Sequence, residues 1–287
     1  MPESLLTRAK RTLKPLVRAG LDLLPNEQLA DLTARVPWIA GAVPDGRRIV
    51  INDFLGEFTL ELDTTHPLER WALRRFHDRR VHALIARAVR PGDVCVDVGA
   101  NYGGVTFALA QASAPAGRVY SFEPGPVNHE RLTRNLALNP SLRDRVVAYA
   151  LGVADKPGTL RWSEDPSFPG NACMFGTEGI ERAVVTLDEA LKDLPRVDFI
   201  KIDVEGMEIE VLRGASALIT RHRPILFYET VLGFAAGRGR PLFEEIAALL
   251  DGLGYARFDI HEGGRLTPAG STPGTLDTLA LPQQRST

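Results

Sequence analysis

The chain has 287 residues, 44% of them hydrophobic and 24% charged, with a net charge of −2 and two cysteines. Near-neutral charge excludes a global attraction for nucleic acid, two cysteines exclude a disulfide scaffold and fit a reduced, cytoplasmic setting, and no apolar run reaches the roughly 18 residues of a membrane-spanning helix. The length fits one large domain, or a catalytic domain with a smaller extension.

In residues 4–33, Leu5, Leu6, Leu13, Leu16, Val17 and Leu21 recur at helical spacing among Arg8, Lys10, Arg11, Lys14 and Arg18. Pro15 and Pro25 interrupt the stripe. The first-choice reading is a solvated helix packed on its own domain or on a second subunit, as in a homodimer. The alternative is a weak contact with an anionic membrane surface. The N-terminus lacks the apolar core and cleavage site of a signal peptide. Ile49-Val-Ile51, a turn near Asp53 to Gly56, and the alternation Phe58-Thr-Leu-Glu-Leu62 predict a hairpin with one buried face. Thr65 and Pro67 then open a helix that Pro91-Gly92 stops. Residues 1–90 therefore read as a helix–hairpin–helix extension, and 91–287 as the main domain.

From residue 93 strands and helices alternate. Strands are predicted at 94–98, 118–122, 146–151, 198–203 and 225–229, and helices at 102–112, 126–138, 206–219 and 241–253. Further strands fall near 255–260 and 276–281. This order predicts an α/β fold, a mostly parallel sheet with helices on both faces. The gap from 152 to 182, rich in Pro and Gly, breaks the rhythm and reads as a long loop. Its part 163–179, with Asn171, Cys173 and Met174, is a candidate cover for a substrate.

Ligands of such sheets sit at the carboxyl ends of the strands. Those ends read Asp97-Val-Gly99, Phe122-Glu123-Pro124, Gly152-Val153, Lys201-Ile-Asp203-Val-Glu205 and Phe227-Tyr-Glu229. Glu123, 24 positions after Gly99, is placed to accept hydrogen bonds from both hydroxyls of a ribose. The turn Gly99-Ala-Asn-Tyr-Gly103 lacks the second glycine that lets a pyrophosphate approach. Asp97 suits a cation better than a phosphate. An ammonium, a ribose and an adenine without phosphate describe S-adenosylmethionine. The rivals are an NAD-linked oxidoreductase of similar topology and a non-catalytic protein that binds the donor.

The segments Val96-Asp-Val-Gly-Ala-Asn-Tyr-Gly103, Tyr120-Ser-Phe-Glu-Pro-Gly-Pro126, Thr186-Leu-Asp-Glu189, Phe199-Ile-Lys-Ile-Asp-Val-Glu-Gly-Met-Glu208 and Leu212-Arg-Gly-Ala215 resemble the FkbM-type methyltransferase family over roughly residues 90–282. The resemblance implies a class I, Rossmann-like fold, S-adenosylmethionine as donor, and an oxygen acceptor on a sugar, polyketide or other small molecule. By place in that pattern, Asp97, Gly99 and Ala100 hold the methionine part, Glu123 the ribose with Pro124 shaping the turn, and Gly152 and Val153 the adenine. Asn101 and Tyr102, beside Gly103, either meet the donor or cap the helix.

Asp203, Glu205 and Glu229 are the candidates for a base that takes the acceptor hydroxyl's proton. Against this, Glu205 can cap the next helix and Asp203 can bind the donor's amino group. Asp203, Glu205 and Glu229 are oxygen ligands suited to Mg²⁺, but no histidine stands at a matching spacing and acids at strand ends do not require a metal, so none is expected. The role of Lys201 stays open. Trp71 and Phe76 are candidate walls of the site, with core packing the commoner fate.

Overall fold

A computed structural model of the chain describes residues 17–54, 58–73, 79–164, 172–173, 179–230, 239–261, 264–270 and 274–283. The basic segment at 4–16, residue 76, most of the proposed cover at 163–179, and the side chain of Trp71 lie outside the described residues. The chain divides into two compact units at Arg79–Arg80.

In the first unit, helix Asn26–Arg35 and a short 3-10 turn Pro37–Ala42 precede strands Arg48–Phe54 (β1) and Phe58–Asp63 (β2). The two strands pair antiparallel, with Ile49 opposite Leu62 and Ile51 opposite Leu60. Alternation puts these four side chains, with Phe58, on one buried face. The helix predicted from Thr65 to residue 90 is two segments among the described residues, Pro67–Ala72 and Arg79–Ala88. From Arg80 on, the second of these belongs to the second unit.

The second unit carries strands Val94–Val98 (β3), Arg118–Phe122 (β4), Val146–Tyr149 (β5), Gly152–Val153 (β6), Gly158–Glu164 (β7), Ala172–Cys173 (β8), Ile180–Val185 (β9), Phe199–Ile202 (β10), Ile225–Glu229 (β11), Tyr255–Ile260 (β12), Leu266–Pro268 (β13) and Asp277–Pro282 (β14). The large sheet has the order β13-β12-β14-β11-β10-β3-β4-β5. Strands β11, β10, β3, β4 and β5 run parallel, and β14 is antiparallel to its neighbours β11 and β12. This is the expected α/β sheet, Rossmann-like and mostly parallel, with antiparallel strands at one side. Apart from Asp97 and Lys201, the two central strands β3 and β10 are apolar on both faces, as strands covered by helices on both sides are. Ile209, Leu212, Ile219 and Leu250, from three helices, pack with Val96, Ile200, Ile202 and Tyr228 in one buried cluster. The chain runs outward from β3 through β4 to β5, then restarts at β10 and runs the other way. The switch point therefore lies between β3 and β10.

Two predicted elements differ. Residues 152–182 contain more than a loop: β6, β9, β7 and β8 form a separate small sheet in that order. Its strands bury Val153, Trp162 and Val184, which gives this segment its own apolar contacts. The helix predicted at 206–219 is two helices, Glu208–Arg213 and Ser216–His222. The break falls at Gly214 and Ala215, and 214 must be glycine because a Cβ there would stand 2.1 Å from the Ala154 carbonyl oxygen. The second helix starts where Asp188 accepts the N–H groups of Ala217 and Leu218 at 3.1 and 2.7 Å. Two motif segments, Thr186–Glu189 and Leu212–Ala215, thus hold each other together, with the Asp188 N–H also donating to Gly214 O.

Candidate active site at the switch point

Two turns lie side by side at the carboxyl edge, one after β3 and one after β10. Asp97 is paired in register with Lys201, and Asp203 N–H donates to Val98 O at 3.0 Å. Gly99 has φ +80°, and a Cβ on it would stand 1.8 Å from the Asp203 carbonyl oxygen. No other residue fits there without moving one turn off the other. Each turn also holds one non-glycine residue in the left-handed region, Asn101 at φ 50° and Glu205 at φ 56°. Such conformations persist where the surroundings fix them, and they concentrate at functional sites.

Four backbone donors of the first turn are used internally. The N–H groups of Gly99 and Ala100 both donate to Phe122 O, and that of Gly103 to Ala100 O. The Asn101 N–H donates to Glu123 Oε2 at 2.8 Å, and the Gly125 N–H to Glu123 Oε1 at 2.8 Å. Ala100 and Tyr102 are buried, and the Tyr102 carbonyl accepts a hydrogen bond from Asn135 Nδ2. Glu123 is only 5% exposed, and burial raises its pKa to about 7 against the lowering effect of those two N–H groups. Each of its oxygens keeps a second lone pair for a further donor.

The small sheet backs this second strand end. Arg182 Nε on β9 donates to Pro124 O at 2.6 Å. Gly125 lies under Trp162 of β7, where a Cβ would come within 2.6 Å of the indole. Gly152 and Val153 are buried in β6, alongside β9.

Asp97 is 0% exposed, and its carboxylate is shared between the Thr106 hydroxyl at 2.6 Å and Lys201 Nζ at 3.2 Å. The chain itself thus supplies the cation that the sequence assigned to a donor. Lys201 Nζ also donates to Gly99 O at 2.8 Å and lies 3.4 Å from Asp203 Oδ2. Burial works against its charge, but Asp97 and Asp203 outweigh burial and raise its pKa. The Asp203 side chain, 34% exposed, keeps a face to solvent.

Glu205 stands beside Asp203, Glu229 and Glu208. Burial, and then these three acids, raise its pKa to about 8, with Lys201 pulling the other way. Its Oε2 is buried without a hydrogen-bond partner. Glu229 ends β11 opposite Asp277. The three candidate bases are therefore grouped at one place, and Glu205 is held among them with its pKa raised to about 8.

Sequence reasoning missed two residues. Lys201 required the strand register to be known. Glu208, 1% exposed, accepts the Gly206 N–H at 2.9 Å, and burial raises its pKa to about 7. Its signal was only its place two residues after the Asp-Val-Glu-Gly run. His222 lies at the end of the helix before β11, hence at the opposite edge of the sheet from the acids. Among the described residues no group of three or more His, Cys, Asp or Glu side chains is arranged to hold a metal ion, and no helix is long and apolar enough to cross a membrane.

The profile of the Methyltransferase FkbM domain matches residues 97–256. A protein named methyltransferase sdnD, from Sordaria araneosa, is 34% identical, with 42% of this chain and 59% of that protein covered. The hexuronic acid methyltransferase AglP of Haloferax volcanii is 27% identical, with 62% and 72% covered. A crystal structure of an FkbM methyltransferase from Methylobacillus flagellatus KT superposes with a TM-score of 0.45 at 20% identity, over 75% of this chain and 54% of that one. The chain thus spans less than two thirds of the Sordaria and Methylobacillus proteins.

Proposed function

The chain belongs to the FkbM methyltransferase family, and from that premise we propose that it transfers a methyl group from S-adenosylmethionine to a hydroxyl oxygen of a small molecule. The observation that carries this reading is Glu205, a carboxylate with one unpartnered buried oxygen and a pKa raised to about 8, set between Asp203 and Glu229 at the switch point. A base works best when its pKa lies near the working pH.

The residues present fit the donor. Glu123 offers two carboxylate oxygens at the end of β4 for the ribose hydroxyls. Asp203 offers an exposed carboxylate for the amino group, a part that Asp97 is too enclosed to play. The N–H groups of Gly99, Ala100, Asn101 and Gly103 are already bonded within the protein, which suits a donor without phosphates better than a dinucleotide. When bound, S-adenosylmethionine supplies a methyl group carried on a sulfonium and open to attack by oxygen. The chain's part is to align the acceptor and to take its proton at Glu205.

The hexuronic acid methyltransferase of Haloferax volcanii supports sugars and sugar acids as the first acceptors to try. The test is incubation with methyl-labelled donor and a panel of such acceptors. The expected product is a methyl ether stable to mild base. A base-labile methyl ester would place the transfer on a carboxylate, which needs no base, and would overturn the role given to Glu205.

A further inference from the structure

A lysine ammonium taken out of water is tolerated only where acceptors replace its hydration. Lys201 is 4% exposed. An ammonium has three donors and accepts nothing. Lys201 Nζ meets three oxygens, from Gly99 O at 2.8 Å, Asp97 Oδ1 at 3.2 Å and Asp203 Oδ2 at 3.4 Å. They belong to β3, to the turn after β3, and to the turn after β10. These are the two sides of the switch point, where open α/β sheets bind ligands. Of the two carboxylates, Asp97 is sealed at 0% exposure, whereas Asp203 is 34% exposed by side chain. Glu123 lies one strand further out, and its oxygens are held by Asn101 and Gly125 rather than by Lys201.

We propose that Lys201 is a positioning residue for the amino-acid half of the methyl donor. Its ammonium ties the Gly99 turn to Asp203, so the more exposed of its two carboxylate partners is held at a fixed place relative to the glycine turn. The ribose half rests on Glu123, whose oxygens are held by Asn101 and Gly125 and which Lys201 reaches only through its charge, one influence among several on its pKa. The inference rests on the donor site proposed above.

Two ligands separate the halves. S-adenosylhomocysteine carries the amino acid, and 5′-methylthioadenosine keeps the adenine, ribose and thioether without it. Both are titrated calorimetrically into wild type and Lys201→Met, with thermal melts confirming that each protein is folded. The expected result is a loss of tenfold or more in affinity for S-adenosylhomocysteine, with the affinity for 5′-methylthioadenosine within threefold of wild type. Unchanged affinity for S-adenosylhomocysteine, or a parallel loss for both ligands, would overturn the proposal. If Lys201→Met does not fold, the double variant Asp97→Asn/Lys201→Met leaves no unpaired buried charge and carries the same test with the same expected split. Wild type that binds neither ligand would remove the donor site itself, and the proposal with it.

Discussion

A carboxylate removes a proton from a hydroxyl most effectively when its own proton affinity is poised near the working pH. Glu205 meets that condition through burial and the acids around it. Glu205→Gln keeps the shape and removes the base. It should lower methyl transfer by about 10²- to 10⁴-fold while leaving the affinity for S-adenosylhomocysteine near wild type. Label-transfer rates and calorimetry check this, and a wild-type rate would exclude Glu205 as the base. Glu123 gives a second residue-scale expectation. In its proposed role the carboxylate form accepts from ribose hydroxyls, and its pKa is raised to about 7 by burial. Affinity for S-adenosylhomocysteine should therefore rise as pH goes from 6 to 8. A flat or falling profile would show that the ribose is elsewhere. Both acids were legible in the sequence, because an acid at the end of an apolar strand is exposed to whatever sits at that edge. The enclosure of Asp97 was not. It depends on Lys201 lying in register beside it and on Thr106 reaching back from the next helix. Both are contacts between elements that spacing along the chain does not define.

At the scale of elements, the site is a junction of two turns pressed together at Gly99. Gly99→Ala would add a Cβ 1.8 Å from the Asp203 carbonyl oxygen at φ +80°. The left-handed backbone alone costs about 1–3 kcal/mol, and the clash adds to that. The variant should lose at least about 2 kcal/mol in denaturant unfolding and bind S-adenosylhomocysteine poorly. Gly252→Ala is the matched control, since its Cβ meets nothing within 4 Å. It should leave stability equal or slightly raised. Equal stability for Gly99→Ala and wild type would show that the turns are not in contact. The parallel strands were readable from their β-branched runs, which burial on both faces demands. The small sheet was hidden by its own composition. Proline and glycine around Pro157-Gly158 and Pro166 suggested a loop, although Leu160-Arg-Trp162 alternates as one side of a strand does. The break at Gly214 also escaped, because it answers a close approach from Ala154, sixty residues earlier.

For the whole molecule, burying acids at the sheet edge links stability to pH. Glu123, Glu205 and Glu208 hold protons up to about 7, 8 and 7, whereas the unfolded chain releases them near 4.5. Between these values the folded state binds more protons than the unfolded one, so stability falls as pH rises. The melting temperature should decline from pH 5.5 to 8.5, and Glu205→Gln should flatten the decline. A melting temperature that climbs over this range would mean that these acids are already ionised in the folded protein. The same acids make the edge a place for a polar ligand, and the proposed ligand is a methyl donor. The most direct measurement is calorimetric titration of wild type and Glu123→Ala with S-adenosylhomocysteine and, separately, with NAD. The expected result is saturable binding of S-adenosylhomocysteine, weakened in Glu123→Ala by about 1.5–3 kcal/mol for each charge-assisted hydrogen bond lost, and no binding of NAD. Binding of NAD without S-adenosylhomocysteine, or equal affinity for S-adenosylhomocysteine in the two proteins, would contradict it.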